Sequence, residues 1–235
     1  IISLQLVGRA RQAGLLVEPR DVFRHQTLQE LALIARIERP EKDVAPEKDL
    51  EGSEHPLLPI QARFFSEDAG RRHHWNQAVL LMPKARLDWA IMERTVAAIV
   101  AHHAALRLRF EETNGAWRAI HGAAPAISEL LWIRNGIRDA ADVTAVASAA
   151  QASLSLAGPL LRVVGMDLAD GSQRLLVVVH HLVIDGVSWR VLLEDFAAAY
   201  GQIQQGAPSI ALAKSQSCAS WATRLQTYGG TEELA

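Results

Sequence analysis

The chain has 235 residues, enough for one large domain or two smaller ones, and its 49% hydrophobic and 21% charged residues are ordinary for a globular protein. A formal net charge of -2 offers no general attraction for nucleic acid or an anionic membrane, and no apolar run approaches the length of a bilayer span. A single cysteine, Cys218, excludes an internal disulfide framework; with no basic-then-apolar leader pattern at the N-terminus, the expected compartment is the cytoplasm.

Ile2, Leu6, Arg9 and Ala13, with Leu4 and Val7 alongside, predict an amphipathic helix that stops at Gly14. Thr27-Leu28-Gln29-Glu30 is a capping-box pattern opening a second helix, with Leu28, Leu31, Leu33, Ile34 and Ile37 available for burial. Composition then shifts to Pro40, Pro46, Gly52 and a dense mixture of Glu, Asp and Lys, too charged and interrupted to bury a core. Residues 39–54 are therefore expected to be a linker between a unit over 1–38 and a second over 55–235.

In the second region Pro59 suits the first turn of a helix, and His73-His74-Trp75-Asn76-Gln77 leads into a strand over 78–82 that Pro83 ends. Asp88 can cap a helix running to His103. Leu106, Leu108 and Phe110 alternate with Arg107, Arg109 and Glu111 as in a half-buried strand, Asn114-Gly115 supplies a hairpin turn, and Trp117 and Ile120 fit the return strand. Leu131-Trp132-Ile133 is a further strand, and the Ala- and Ser-rich stretch from Asp139 to Leu156 has helical spacing, stopped by Gly158-Pro159. Leu160 to Leu168 and Arg174 to Val179 flank the turn Asp170-Gly171-Ser172. A helix from Ser188 to Gly206 follows, and a last short one around Trp221 to Leu225. Long helices between strands point to an α/β layered fold.

The run Arg174-Leu175-Leu176-Val177-Val178-Val179 fits a strand buried on both faces, and it delivers the chain to His180-His181. A lone histidine on an apolar segment is more often a hydrogen-bonded core residue than a catalyst. Here the side-chain alternation of a strand means that both rings cannot enter one pocket, so one is expected to react and the other to pack. Asp185-Gly186 reads as a tight turn in which Gly gives backbone freedom and Asp a short acceptor; Ser188 can cap the following helix.

His180-His181, Asp185-Gly186 and Ser188-Trp189 resemble the H-H-x-x-x-D-G active-site motif of nonribosomal peptide synthetase condensation-type domains. Trp189 and Arg190-Val191-Leu192-Leu193-Glu194-Asp195 are closer to the epimerization branch, as is the His-Trp-Asn-Gln wording at 74–77, which suits either a substrate-channel wall or a packed strand entry. The resemblance implies one lobe, the N-terminal one, of a chloramphenicol-acetyltransferase-like fold in which two lobes meet in a V. It implies His181 as the proton-transfer residue, His180 as a brace and Asp185 as structural, within a motif completed by Gly186, Ser188 and Trp189. In the family the arginine of a His-x-x-Leu-Arg segment is associated with the motif Asp, which would pair Arg107 with Asp185; on the residues alone, Arg107 and Arg109 lining a solvated strand face is equally open. A second acid/base, a Glu of the other lobe, would come from outside this chain.

Upstream, Ser3 to Gly14, Arg20-Asp21-Val22-Phe23 and Thr27-Leu28 are similar to the later half of a peptidyl carrier domain, a partial helical bundle. That likeness implies 4'-phosphopantetheine on a Ser just before Ile1, not on Ser3. The implied activity is inversion of the α-carbon of an aminoacyl or peptidyl thioester on the upstream carrier, with other synthetase domains of the same polypeptide as partners. The alternatives are a condensation domain that forms a peptide bond, or a non-catalytic module that docks carriers. No metal is expected: His73-His74, His102-His103 and His180-His181 are adjacent pairs, which chelate poorly, and no spaced His–carboxylate set completes a shell.

Overall fold

A computed structural model describes residues 2–37, 51–67, 70–213 and 217–231. The chain divides into two compact units, Ile1–Pro46 and Glu47–Ala235. The linker expected over 39–54 falls mostly outside the described residues, and its last part is already structured. The Gly52 N–H donates to the His121 carbonyl at 2.7 Å, and Glu54 and His55 pair with Ile120 and Ala119.

The first unit comprises α1 (Ile2–Gln12), β1 (Leu15–Leu16), α2 (Pro19–Arg24), α3 (Leu28–Ile34) and β2 (Arg36–Ile37). Gly14, at φ +76°, ends the first helix in the left-handed conformation that glycine adopts without a Cβ penalty. The capping box forms: Thr27 Oγ1 accepts from the Glu30 N–H at 3.2 Å, and the Glu30 carboxylate accepts from the Thr27 N–H at 3.3 Å. The expected burial forms only in part: Leu31 and Ile34 are half-buried. Leu28 and Leu33 are each 80% exposed and Ile37 82%, because helices of 6 and 7 residues offer too little face to cover them.

The second unit runs β3 (Glu54–His55), α4 (Pro59–Ser66), β4 (Asn76–Leu81), α5 (Trp89–His102), β5 (Leu108–Thr113), β6 (Ala116–His121), α6 (Ile127–Leu130), β7 (Leu131–Ile137), α7 (Ala140–Ala152), β8 (Leu161–Leu168), β9 (Gln173–His180), α8 (Ser188–Gln204) and α9 (Cys218–Gly229). A four-stranded sheet has the order β4-β9-β8-β7, with β7 parallel to β8 and the other pairs antiparallel; β3, β6 and β5 form a smaller antiparallel sheet.

Strand β9 lies inside the larger sheet, and its alternation builds two cores. Leu175, Val177 and Val179 pack with Met92, Val96 and Ile99 of α5 and with Leu192 and Phe196 of α8. Leu176 and Val178 pack on the other face with Val164, Met166 and Ala150 of α7. Val177, Val178 and Val179 are all fully buried, each contributing about 1.5–3 kcal/mol of hydrophobic stabilisation. The α/β layered expectation therefore holds, with helices on both faces of a sheet whose central strand ends at the paired histidines.

Local signals set most boundaries. Asp88 Oδ1 accepts from the Ala90 and Ile91 N–H groups and opens α5; Asp139 does the same for Ala141 and Asp142 at the start of α7. Asn114 (φ 52°) and Gly115 (φ 78°) make the β5–β6 turn. Helix α7 stops at Ala152, short of the expected Leu156. Leu156 instead packs with Leu108, Phe110 and Leu160, and its carbonyl accepts from the Phe110 N–H at 2.8 Å, so the chain leaves the helix to fill a third core. The last helix is longer than expected because Ser217 caps it at the Ser220 N–H.

Candidate active site

The end of β9 against β4 fixes the two histidines. Asn76 sits opposite His180, and one step further the His181 N–H donates to the Trp75 carbonyl at 2.8 Å. Because side chains alternate along a strand, Trp75, Gln77 and His181 share one face, and Asn76 and His180 the other.

His180 has no exposed surface. Its Nδ1 accepts from the Leu182 N–H at 3.2 Å, so Nε2 carries the proton and donates to the Arg72 carbonyl at 2.8 Å. Burial pushes the imidazole down to about 4, reinforced by His73 and His181 and only partly opposed by the Arg72 carbonyl. It is a neutral ring fixed at both nitrogens.

His181 is half-buried, near the exposed Trp75 and Asp185. The Trp75 ring lies 6.0 Å from it and 18° from coplanar. Its Nδ1 is 2.8 Å from the Ile184 carbonyl, which can only accept, so this nitrogen bears the proton. Nε2 is thereby the lone-pair nitrogen, 3.1 Å from Gln77 Nε2. An imidazole so arranged can take a proton at Nε2.

The loop between His181 and α8 is tied at several points. Gln61, fully buried on α4, donates to the Leu182 carbonyl at 3.0 Å and accepts from the Leu58 N–H at 2.9 Å. Asp185 Oδ1 accepts from the Val187 N–H (3.0 Å), the Ser188 N–H (2.7 Å) and the Ser188 hydroxyl (2.7 Å). Burial alone would raise this carboxyl, but those donors and the nearby His181 outweigh it and hold the group below the usual carboxylate range.

The structure differs from expectation at Ser188, Arg107 and Gly186. Ser188 is the first residue of α8 and gives its hydroxyl proton to Asp185, so the carboxylate, the stronger acceptor, ties down the helix start that Ser188 was expected to cap. Arg107 does not pair with Asp185. A 3₁₀ turn over Ala104–Arg107 folds the guanidinium back onto α5, where Nη1 donates to the Val100 and Ala101 carbonyls at 2.6 and 2.9 Å. The attraction there is the negative end of the helix dipole. Gly186 does not adopt a positive φ, and a Cβ there would meet nothing within 4 Å, so its missing side chain faces open space instead of relieving the turn.

Residue order places Gln77 in the His-Trp-Asn-Gln wording at 74–77 but gives it no partner, and it does not single out Gln61: nothing in it shows that Gln77 meets His181 or that Gln61 meets Leu182. The fold also brings Asp195 to His103, at 2.8 Å, with His102 beside it. His102 Nε2 is engaged with the Ala213 carbonyl at 3.0 Å. Burial, ahead of the neighbouring His102, lowers His103 despite the carboxylate. Two hollows, an apolar one of about 510 Å³ at Leu81, Met82, Phe196 and Tyr200 and one of about 120 Å³ at Arg107, Arg109 and Gly158, lie away from His181.

The sequence model of the condensation domain matches residues 52–235. One of the linear gramicidin synthase proteins of Brevibacillus parabrevis is 40% identical over 234 residues, covering 97% of this chain and 4% of that protein. Surfactin synthase subunit 1 of Bacillus subtilis is 37% identical over 236 residues, covering 99% of this chain and 6% of that protein. The chain thus spans a small fraction of the length of these curated relatives. Among solved structures, the epimerization domain from the third module of tyrocidine synthetase B matches with a TM-score of 0.71 and 34% identity, over 78% of this chain and 43% of that one. The first condensation domain of the calcium-dependent antibiotic synthetase matches with a TM-score of 0.64 and 20% identity, over 77% of this chain and 44% of that one, which shows a shared fold. The lobe is of the chloramphenicol-acetyltransferase-like kind that such domains share.

Proposed function

The chain belongs to the condensation-domain family of nonribosomal peptide synthetases, and from that premise we propose that residues 55–235 are the N-terminal lobe of an epimerization domain. On this reading the substrate is an aminoacyl or peptidyl thioester on the 4'-phosphopantetheine arm of an upstream carrier, of which residues 1–38 are the later part. The observation that carries the chemistry is the half-buried His181 ring just past the end of β9, its Nδ1–H donated to the Ile184 carbonyl and its lone pair left at Nε2, facing the Gln77 amide.

His181 Nε2 takes the α-proton, the electron pair moves into the thioester carbonyl as an enolate, and a proton returns from the opposite face. Histidine is suited to this step because the unperturbed imidazole both takes up and releases a proton near working pH. The second acid, a glutamate of the other lobe, lies outside residues 1–235. What favours epimerization over peptide-bond formation is the likeness to the tyrocidine epimerization domain, at 34% identity, against 17% for the rhizomide synthetase starter condensation domain and 18% to 20% for the first condensation domain of the calcium-dependent antibiotic synthetase. Condensation is the second reading, because the matching sequence model is that of condensation domains as a whole.

The test is solvent deuterium incorporation at the α-carbon of the carrier-bound residue, measured on the intact synthetase module in heavy water. Label uptake and a D/L mixture on thioester hydrolysis are expected, both lost in His181→Ala. Dipeptide formed on a second carrier with the stereocentre retained would assign condensation, and exchange surviving His181→Ala would remove His181 as the base.

A further inference from the structure

We propose that Gln77 is a positioning residue for His181: clamped by Trp189, its amide reserves Nε2 as the lone-pair nitrogen and aims the ring. The donors and acceptors around the amide have roles that cannot be exchanged. The Trp189 indole Nε1–H can only donate, and it lies 2.7 Å from Gln77 Oε1. The amide oxygen is therefore committed to α8, and the amide NH₂ is turned toward His181 Nε2 at 3.1 Å. An N–H aimed at a ring nitrogen is satisfied only if that nitrogen has a lone pair.

The Ile184 carbonyl, 2.8 Å from Nδ1 on the other side of the ring, makes the matching demand for an N–H there. Two contacts from different elements, the edge strand β4 and the loop after β9, thus specify one tautomer. Trp189 is 9% exposed in the core beneath α8, so it has little room to release the amide. Gln77 stands opposite Val179 on β4, the diagonal neighbour of His181 on the same face, a placement set by strand register.

In the resting site Gln77 occupies the nitrogen that accepts the proton; substrate entry displaces this hydrogen bond without altering the tautomer. Once Nε2 is protonated, two N–H groups face each other, and the amide cannot turn its oxygen to His181 without giving up Trp189. The clamp therefore favours loss of that proton from Nε2 and recovery of the resting tautomer once the enolate has been reprotonated from the opposite face. This part rests on the proton-transfer role proposed above; the tautomer assignment does not.

The experiment is ¹⁵N-histidine NMR of this chain near neutral pH, together with deuterium exchange on the intact module. In the parent protein the neutral ring of His181 should show protonated Nδ1 and unprotonated Nε2. Gln77→Glu presents acceptors to both Trp189 and His181, so the Nε2 resonance should move to the protonated range. Exchange should then fall by roughly 100-fold in kcat with KM for the loaded carrier little changed. Trp189→Phe frees the amide to rotate and should give intermediate shifts at both nitrogens. Should that variant fail to fold, Gln77→Glu, at a partly exposed strand position, carries the test alone. A parent ring protonated at Nε2, or a Gln77→Glu spectrum identical to the parent, overturns the proposal. The expected tautomer in a module that never exchanges the α-proton would instead overturn the epimerization reading and leave the clamp standing.

Discussion

Acid should destabilise this protein measurably through His180, the ring on the opposite face of the strand from His181. In the folded state its Nε2–H is given to the Arg72 carbonyl and its Nδ1 lone pair to the Leu182 N–H, in a site with no exposed surface. Adding a proton means breaking the second bond and charging the core, and burial pushes the group from 6.5 down to about 4. The unfolded chain takes up that proton near 6.5. The stabilising difference is therefore complete above that pH, is lost progressively as the pH falls toward 4, and changes little below it. Roughly 2.5 pH units at about 1.4 kcal/mol each give about 3 kcal/mol. Urea unfolding of the parent and of His180→Gln across this range isolates the effect, because His103 and the carboxylates titrate in both proteins. The gap in unfolding free energy between parent and variant should narrow by about 3 kcal/mol from neutral pH to pH 4. A gap that stays constant would mean that the ring is not kept neutral by the fold, and the assignment of His180 as a buried brace would fail.

Asp185→Ala removes the acceptor for two backbone N–H groups and one hydroxyl at the start of α8, and should cost about 1–2 kcal/mol in chemical denaturation. Because the fold depresses its carboxyl, this contribution is present above the ordinary carboxylate value of 3.8 and is lost as the pH falls through the lower folded value; Asp185→Ala should flatten the acid limb. Arg107→Ala should cost about 1–2 kcal/mol, the worth of two charge-assisted bonds at a helix C-terminus, and not the 3–5 kcal/mol of a broken buried ion pair. A double-mutant cycle with Asp185→Ala should give a coupling energy near zero, and strong coupling would restore the direct pair. Gly165→Ala places a Cβ 2.7–2.9 Å from three atoms of the Trp89 ring, which is itself tied to Asp167 through the indole N–H at 2.7 Å. Overpacking there should lower stability by about 1–3 kcal/mol, and an unchanged thermal midpoint would show that α5 can shift.

The features legible from residue order are those determined within a few positions of the chain. The Thr27–Glu30 capping box and the Asp88 cap depend on side chains reaching backbone two or three residues away, the Asn114-Gly115 turn on two adjacent residues taking positive φ, and each forms as read. The buried character of β9 is visible because an unbroken β-branched run suits a strand covered on both faces. Alternation alone also places His180 and His181 in different surroundings. Family likeness, not periodicity, singles out His181.

What only the tertiary structure decided are the partners, because a hydrogen bond across the fold leaves no trace in local spacing. Arg107 was free to seek a carboxylate or a carbonyl, and the 3₁₀ turn before β5 gave it the end of α5. Asp195 reaches His103 only because α8 packs on α5. Gln77, an ordinary amide at a strand entry, meets His181 across 104 positions through the register of β4 on β9 and is oriented by a tryptophan 112 positions away. The chain's order therefore determined which groups could do chemistry, and the packing of sheet against helix determined which nitrogen carries the proton.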